Sequence, residues 1–337
     1  MTSSLDQPIL KLLIAVRHPF NLWSLPDWFV PKLQSDFPNL RVINLDDYNA
    51  IDAELRDTDI AIGWAFRPQQ IRAARKLRWI HSTAAAVHTL MFPELIDSGI
   101  ILTNARDVHG PVVAEHVIAL IFALAKKIPQ AVRMQQKHAW GQHNIWEAPP
   151  QTREIAGATL GLIGLGTIGR EVARHANGLG MKVIAARENP QKGAPEGIRQ
   201  VFPSSQLEKL LIQSDFVVLC APVTSLTRNL IDAAGLAQMK PDAYLINVGR
   251  GELIDEPALI DVLRNHRIAG AALDVFEKEP LPADSAFWDL DNLLITPHTA
   301  GLSHQMWERH YVLFTENLRR YLSGQPLLAV VNKSAGY

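Results

Sequence analysis

The sequence predicts an α/β protein built from two doubly wound parallel sheets. Three observations carry that prediction. Short aliphatic runs alternate with polar segments of helical pattern in both halves of the chain, and a three-glycine turn joins one such run to a helical pattern. The chain of 337 residues also exceeds the size at which a single core keeps growing. With 47% hydrophobic and 20% charged residues, nothing points to disorder.

Taken in order, "KLLIAV", "RVINL", "DIAIGW", "LRWIHS" and "GIILTN" read as strands of a first sheet. The opening "ILKLLIAV" is short, carries a lysine and lacks a small-residue cleavage site, so it reads as a first strand and not a signal peptide. From Val112 to Lys127, "VVAEHVIALIFALAKK" is apolar on nearly every side, with Pro111 at its start and Pro129 just past its end. It predicts a long helix buried between two bodies. Its apolar centre, "VIALIFALA", is too short for a bilayer, which needs about 20 residues.

The segment His138–Gly157 mixes turn residues with aromatics and reads as a surface connection, its histidines and tryptophans as loop residues and not a metal or ligand site. A second series follows: "TLGLIGLG", "KVIAA", "FVVLCAP", "AYLINVG", "IAGAALDVF" and "NLLITPH". No short repeat is present.

Charge and cysteine content narrow the function classes. Lys and Arg number 33 against 34 Asp and Glu, so no overall basic field draws the chain to nucleic acid or to a membrane surface. The lone Cys220 has no internal disulfide partner, and no Cys/His cluster shows metal-ligand spacing, so no metal is expected and a cytoplasmic setting is. Within "FVVLCAP", Cys220 reads as a packed strand residue and not a nucleophile.

Gly164, Gly166 and Gly169 follow the strand-like "ATLGLI" and precede a helical pattern, the setting in which such glycines bind a dinucleotide in a Rossmann-like fold. Gly164 allows the tight turn, Gly166 the close approach of a pyrophosphate, and Gly169 the packing of helix on strand. The next strand-like segment, "KVIAARENP" from Lys182 to Pro190, should end on an acidic residue that holds the adenosine ribose, yet its first charged residue after the apolar run is Arg187. A guanidinium there can pair with a 2'-phosphate, which favours NADP(H). Two alternatives stay open: Glu188 could turn toward a ribose, or Arg187 could stack on adenine in an enzyme that also uses NAD(H).

Three further motifs place a polar residue at or just past the end of a strand: "NVGRGELID" with Arg250, "ALDVFEKEPLP" with Glu279 and "ITPHTAG" with His298. Ligands bind along that rim of an open parallel sheet. A guanidinium grips a carboxylate by two parallel hydrogen bonds, an imidazole exchanges a proton near neutral pH, and a carboxylate beside it stabilises the imidazolium. Singly, each has an ordinary reading: Arg250 paired with Asp255, Glu279 a solvated turn residue, His298 a packed one. Their joint appearance favours a catalytic set.

"GLGTIG", "CAPVTSLTRNLI", "MKPDAYLINVGRGELID", "GAALDVFEKEPLP" and "LLITPHTAG" together resemble the D-isomer-specific 2-hydroxyacid dehydrogenase family, and "WIHSTAAAVHTL" extends the resemblance into the first third. The resemblance implies Arg250 as the substrate-binding arginine, Glu279 as the glutamate partner and His298 as the acid/base. It implies that backbone amides at Ala85, Ala86 and Val87 receive the substrate carboxylate and that Asp274 binds the nicotinamide carboxamide. Thr167, Ile168, Pro222, Thr227, Val248, His298 and Gly301 would join the glycines and Arg187 around the cofactor. It also implies a discontinuous substrate domain of residues 1–104 plus 299–337, a cofactor domain of residues 105–298, and a homodimer.

"STAAAVH" departs from the family pattern, with alanines and His88 where relatives often show a glycine-containing loop followed by Asp. Reduction of a small 2-oxo acid such as glyoxylate or hydroxypyruvate is the expected activity. Phosphoglycerate oxidation is disfavoured because the chain ends soon after the last domain, and formate oxidation because Glu279 stands where those enzymes carry glutamine. The competing expectation is a redox-sensing scaffold similar to the C-terminal-binding-protein corepressors, although the long extensions of those proteins are missing.

Overall fold

The computed structural model describes residues 9–189, 191, 193–334 and 336. Pro190, the last residue of the segment that opens at Lys182, therefore lies outside the described residues. The chain forms two compact units, one of the described residues up to His109 with those from Leu302 onward, the other of Gly110–Gly301.

The first unit holds a five-stranded, all-parallel sheet of β1 (Leu10–Ala15), β2 (Leu40–Asn44), β3 (Ile60–Gly63), β4 (Trp79–His81) and β5 (Ile101–Thr103), in the order β2-β1-β3-β4-β5. Leu13 and Ala15 face one core while Leu12 and Ile14 face another, so β1 is apolar on both sides, as a strand covered on two faces must be. The C-terminal helix Met306–Leu322 closes one of these cores with Met306, Trp307, Tyr311, Phe314 and Leu318.

The second unit holds seven parallel strands: β6 (Thr159–Ile163), β7 (Lys182–Arg187), β8 (Ile198–Pro203), β9 (Phe216–Leu219), β10 (Tyr244–Asn247), β11 (Gly270–Leu273) and β12 (Leu293–Ile295). Their order is β12-β11-β10-β9-β6-β7-β8. Leu160 and Leu162 pack with Val113, Val117 and Ile121 of the helix Gly110–Ala125, while Ile163, Val217 and Leu219 face Leu210, Leu259 and Leu263 on the other side. Each such aliphatic side chain contributes about 1.5–3 kcal/mol on burial, which makes the central strands the most strongly held part of the unit.

Three local features differ from the sequence reading. β8 was not anticipated, because only Ile198 and Phe202 of "IRQVFP" are buried and Arg199 and Gln200 face solvent. The long helix runs from Gly110 to Ala125 and buries one face only: Glu115, Ala119 and Phe122 are exposed. It stops where Lys127 adopts a left-handed conformation (φ 53°) and buries its ammonium against the carbonyls of Ile145 and Ala148. A new helix, Ile128–Gln136, starts there, and a short one, Gln142–Glu147, lies within the expected surface connection.

The units part at 109/110 and 301/302, beside the 104/105 and 298/299 boundaries that the family resemblance implies. Asn104 and Ala105 donate backbone hydrogen bonds to Ala329 and Ala84, which ties them to the first sheet, while Thr299 and Ala300 donate to Asp274 of the second unit.

Candidate active site

In the second sheet the strand order reverses between β6 and β9, and ligands of open parallel sheets bind beyond the C-terminal strand ends at such a switch point. The glycine turn sits there. Gly164 has φ +105°, and a Cβ on it would lie 2.9 Å from the Ala221 nitrogen. A Cβ on Gly169 would lie 2.2 Å from the Gly164 carbonyl oxygen, so helix and turn touch directly. Gly166 differs: nothing lies within 4 Å of where its Cβ would stand. It precedes Thr167 and Ile168 at the start of the helix Thr167–Gly178, whose N-terminus suits an anion. A glycine that packing does not require, at the open mouth of a helix N-terminus, fits a phosphate-bearing cofactor approaching the backbone.

Arg187 ends β7 and donates from Nη2 to the Gly193 carbonyl at 2.6 Å, while its Nε is buried with no hydrogen-bond partner among the described residues. Adjacent Glu188 is exposed. After β9, the Thr227 hydroxyl donates to the Pro222 carbonyl at 2.7 Å and accepts from the Thr224 amide at 2.8 Å, which closes the loop between them. Val248 is buried directly after β10.

Arg250, Glu279 and His298 lie beyond the ends of β10, β11 and β12 of one sheet. His298 Nδ1 and Glu279 Oε2 are 2.6 Å apart, and Glu279 Oε1 accepts from the Phe276 amide at 2.9 Å. The carboxylate is thus held at both oxygens, and Nδ1 is committed to it. Nε2 is left to exchange a proton, on a side chain that is half exposed. His298 has φ +54°, a region in which histidine is enriched among non-glycine residues, and its amide is held by the Asp274 and Thr296 carbonyls. Arg250 forms no ion pair among the described residues. Asp255, its alternative partner, instead caps the helix Glu256–Arg264 through the Ala258 amide.

Asp274 is 1% exposed, and its carboxylate accepts from the Thr296 hydroxyl (2.6 Å) and from the amides of Thr299 (2.8 Å) and Ala300 (3.0 Å). It therefore anchors the loop that carries His298 and ends at Gly301, a task the sequence reading did not give it. Ala85, Ala86 and Val87 lie in the first unit, on the loop after β4. Val87 packs its side chain into the core, the Ala85 carbonyl accepts from Asn104 Nδ2, and the three amides donate to none of the described residues.

Sequence reasoning missed three side chains here. Asn247, 1% exposed, donates to the Arg250 carbonyl and accepts from the Gly249 amide, which shapes the turn that presents Arg250. Thr296 bonds Asp274, and His116 Nε2 lies 3.1 Å from the Thr296 hydroxyl and 3.7 Å from Asp274 Oδ1. The "AEH" within an apolar helix was the available signal for His116. Cys220 Sγ donates to the Gly164 carbonyl, and burial pushes its thiol up to about 12, an inert packed residue.

Residues 118–300 match the model of the D-isomer specific 2-hydroxyacid dehydrogenase NAD binding domain. The chain belongs to the D-isomer specific 2-hydroxyacid dehydrogenase family. This dehydrogenase is 34% identical over 287 residues to a glyoxylate reductase of Korarchaeum cryptofilum, an alignment covering 83% of this chain and 84% of that one. Its fold superposes with a TM-score of 0.81 on an NADPH-dependent glyoxylate/hydroxypyruvate reductase of Sinorhizobium meliloti in complex with NADP and sulfate, at 28% identity over 97% of this chain and 100% of that one. A D-isomer specific 2-hydroxyacid dehydrogenase of Xanthobacter autotrophicus with NADPH gives 0.83 at 29% identity, covering 97% and 99%. The dehydrogenase is therefore an oxidoreductase with a nicotinamide-cofactor domain. Among the described residues no helix is long and apolar enough to cross a membrane, and no group of three or more His, Cys, Asp or Glu could hold a metal ion.

Proposed function

We propose that this dehydrogenase reduces a small 2-oxo acid, such as glyoxylate or hydroxypyruvate, to the D-2-hydroxy acid, with NADPH preferred to NADH. The observation that carries the reading is the 2.6 Å contact of His298 Nδ1 with a Glu279 carboxylate that is itself held by a backbone amide. When bound, the reduced nicotinamide supplies the hydride. His298 delivers a proton from Nε2 to the substrate carbonyl oxygen, and Glu279 stabilises the imidazolium before transfer. Arg250, free of carboxylate partners among the described residues, holds the substrate carboxylate and polarises its carbonyl. In the same reading the first unit, with its Ala85–Val87 amides, is the substrate domain and Gly110–Gly301 the cofactor domain.

NADPH preference draws its support from Arg187, which stands at the strand end in place of a carboxylate and keeps a buried donor unmatched. The Sinorhizobium meliloti neighbour, described as NADPH-dependent, supports it by analogy. Association as a homodimer belongs to the same reading, with Trp140 and Trp146, 91% and 59% exposed, and Ile128 and Val132 on the surface available to a second copy. A cytoplasmic setting is also part of it.

The test is oxidation of NADPH and NADH, side by side, with glyoxylate or hydroxypyruvate. The expected outcome is turnover with kcat/KM for NADH at least about tenfold lower, a difference of about 1.4 kcal/mol. An equal or reversed preference would give the ribose to Glu188, while cofactor binding without turnover on any 2-oxo acid would make the protein a sensing scaffold.

A further inference from the structure

His116 lies on the helix Gly110–Ala125, outside the motifs that carry the chemistry, yet its ring reaches the loop that presents His298. Proton counting fixes the direction of the bonds. The Thr296 hydroxyl has one hydrogen, and Asp274 Oδ1, 2.6 Å away on a carboxylate, can only accept it. At 3.1 Å the Thr296 oxygen must therefore accept from His116 Nε2–H. Burial holds the His116 imidazole below its ordinary range, so the neutral ring carries its hydrogen on Nε2.

The relay continues into the loop. Asp274 takes the amides of Thr299 and Ala300 on its side-chain oxygens and the amide of His298 on its backbone carbonyl. Three consecutive amides, with His298 in the left-handed region, hang on one aspartate. That aspartate is oriented by Thr296, and Thr296 by His116.

We propose that His116 is a positioning residue for the acid/base: through Thr296 and Asp274 it holds residues 296–300 so that His298 faces both Glu279 and the substrate. The kinetic part of this proposal rests on the reductase reading above; the structural part does not. The two amides on the Asp274 carboxylate hold Thr299 and Ala300, but the Thr296 side chain at the start of the loop needs a restraint of its own. A donor on a separate helix supplies that restraint.

Four variants test it: His116→Leu, His116→Gln, Thr296→Val and the double variant His116→Leu/Thr296→Val. Glutamine keeps a side-chain N–H that can reach Thr296, whereas leucine keeps only bulk. The first readout is hydrogen–deuterium exchange of the 296–301 segment, which needs no substrate. His116→Leu should speed exchange there about tenfold or more while the central strands keep their protection, and His116→Gln should restore most of it. The second readout is steady-state kinetics with NADPH and glyoxylate. His116→Leu should lower kcat about 10-fold or more with KM changed less than about 2-fold, and the double variant should lose no more than the worse single one.

Unchanged exchange at 296–301 in His116→Leu would overturn the proposal, as would a glutamine variant as impaired as the leucine one. Exchange that rises throughout Gly110–Gly301 would also overturn it, since that is the mark of a packing residue. A wild-type protein that turns over no 2-oxo acid would sink the reductase reading, and the exchange data would still decide the role of His116.

Discussion

Of the two ring nitrogens of His298, Nδ1 is committed to Glu279 at 2.6 Å, and in the proposed reaction Nε2 serves the substrate. His298→Asn removes the proton donor while tolerating φ +54° better than most residues, because asparagine enters the left-handed region readily. It should cost kcat about 10²-fold or more with little change in the KM of the 2-oxo acid; steady-state turnover near wild type would take His298 out of the chemistry. At this scale the identities of Arg250, Glu279 and His298 were legible as motifs, each being a polar residue in an otherwise apolar or turn-forming context. Asn247, Thr296 and His116 were not. Asn247 bonds the neighbouring Gly249 and Arg250 backbone, but the partners of Thr296 and His116 lie across the fold, and a threonine before a proline or a histidine in an apolar helix looks the same whether or not it meets an aspartate.

Among the elements, the glycine turn and its helix form the tightest joint. A methyl group on Gly169 would stand 2.2 Å from a backbone oxygen, which cannot swing aside as a side chain could. Gly169→Ala should therefore push the helix Thr167–Gly178 off β6, costing about 1–3 kcal/mol in urea unfolding and weakening cofactor affinity together. Unfolding at the wild-type midpoint with unchanged affinity would show that the contact relaxes freely. The buried strands were readable because they are apolar on both faces. β8 was not, since an edge strand with Arg199 and Gln200 outward has no such continuous run. The long helix ends two residues short of the expected Lys127, which turns left-handed and sets its ammonium against the carbonyls of Ile145 and Ala148, a contact no local pattern announces.

Over the whole molecule, the first unit carries an acid-sensitive core. His81 is 1% and His310 2% exposed; burial lowers His81 to about 3, and burial, with His109 and His81 nearby, holds His310 well below its ordinary range. Both are neutral when folded and become charged only on unfolding, so the unfolded chain binds more protons below its own histidine pKa of about 6.5. Stability is unaffected by these groups above that pH and falls as the pH drops toward the folded values, by about 1.4 kcal/mol per histidine per pH unit. Urea midpoints measured from pH 7.5 to 4.5 should fall, and His310→Phe should flatten the slope; an identical slope in that variant would rule His310 out as a source.

The sequence by itself determined the fold class, the strand that ends on Arg187, and the Arg, Glu and His that mark the site, because hydrophobic period, turn chemistry and residue type are local properties. Only the tertiary structure decided that Asp274 clamps the His298 loop, that Glu279 is held at both oxygens, and that His116 reaches Thr296, 180 residues along the chain. Hydrogen bonds between residues so far apart depend on where the sheet and its covering helices bring them, and no local pattern encodes that distance.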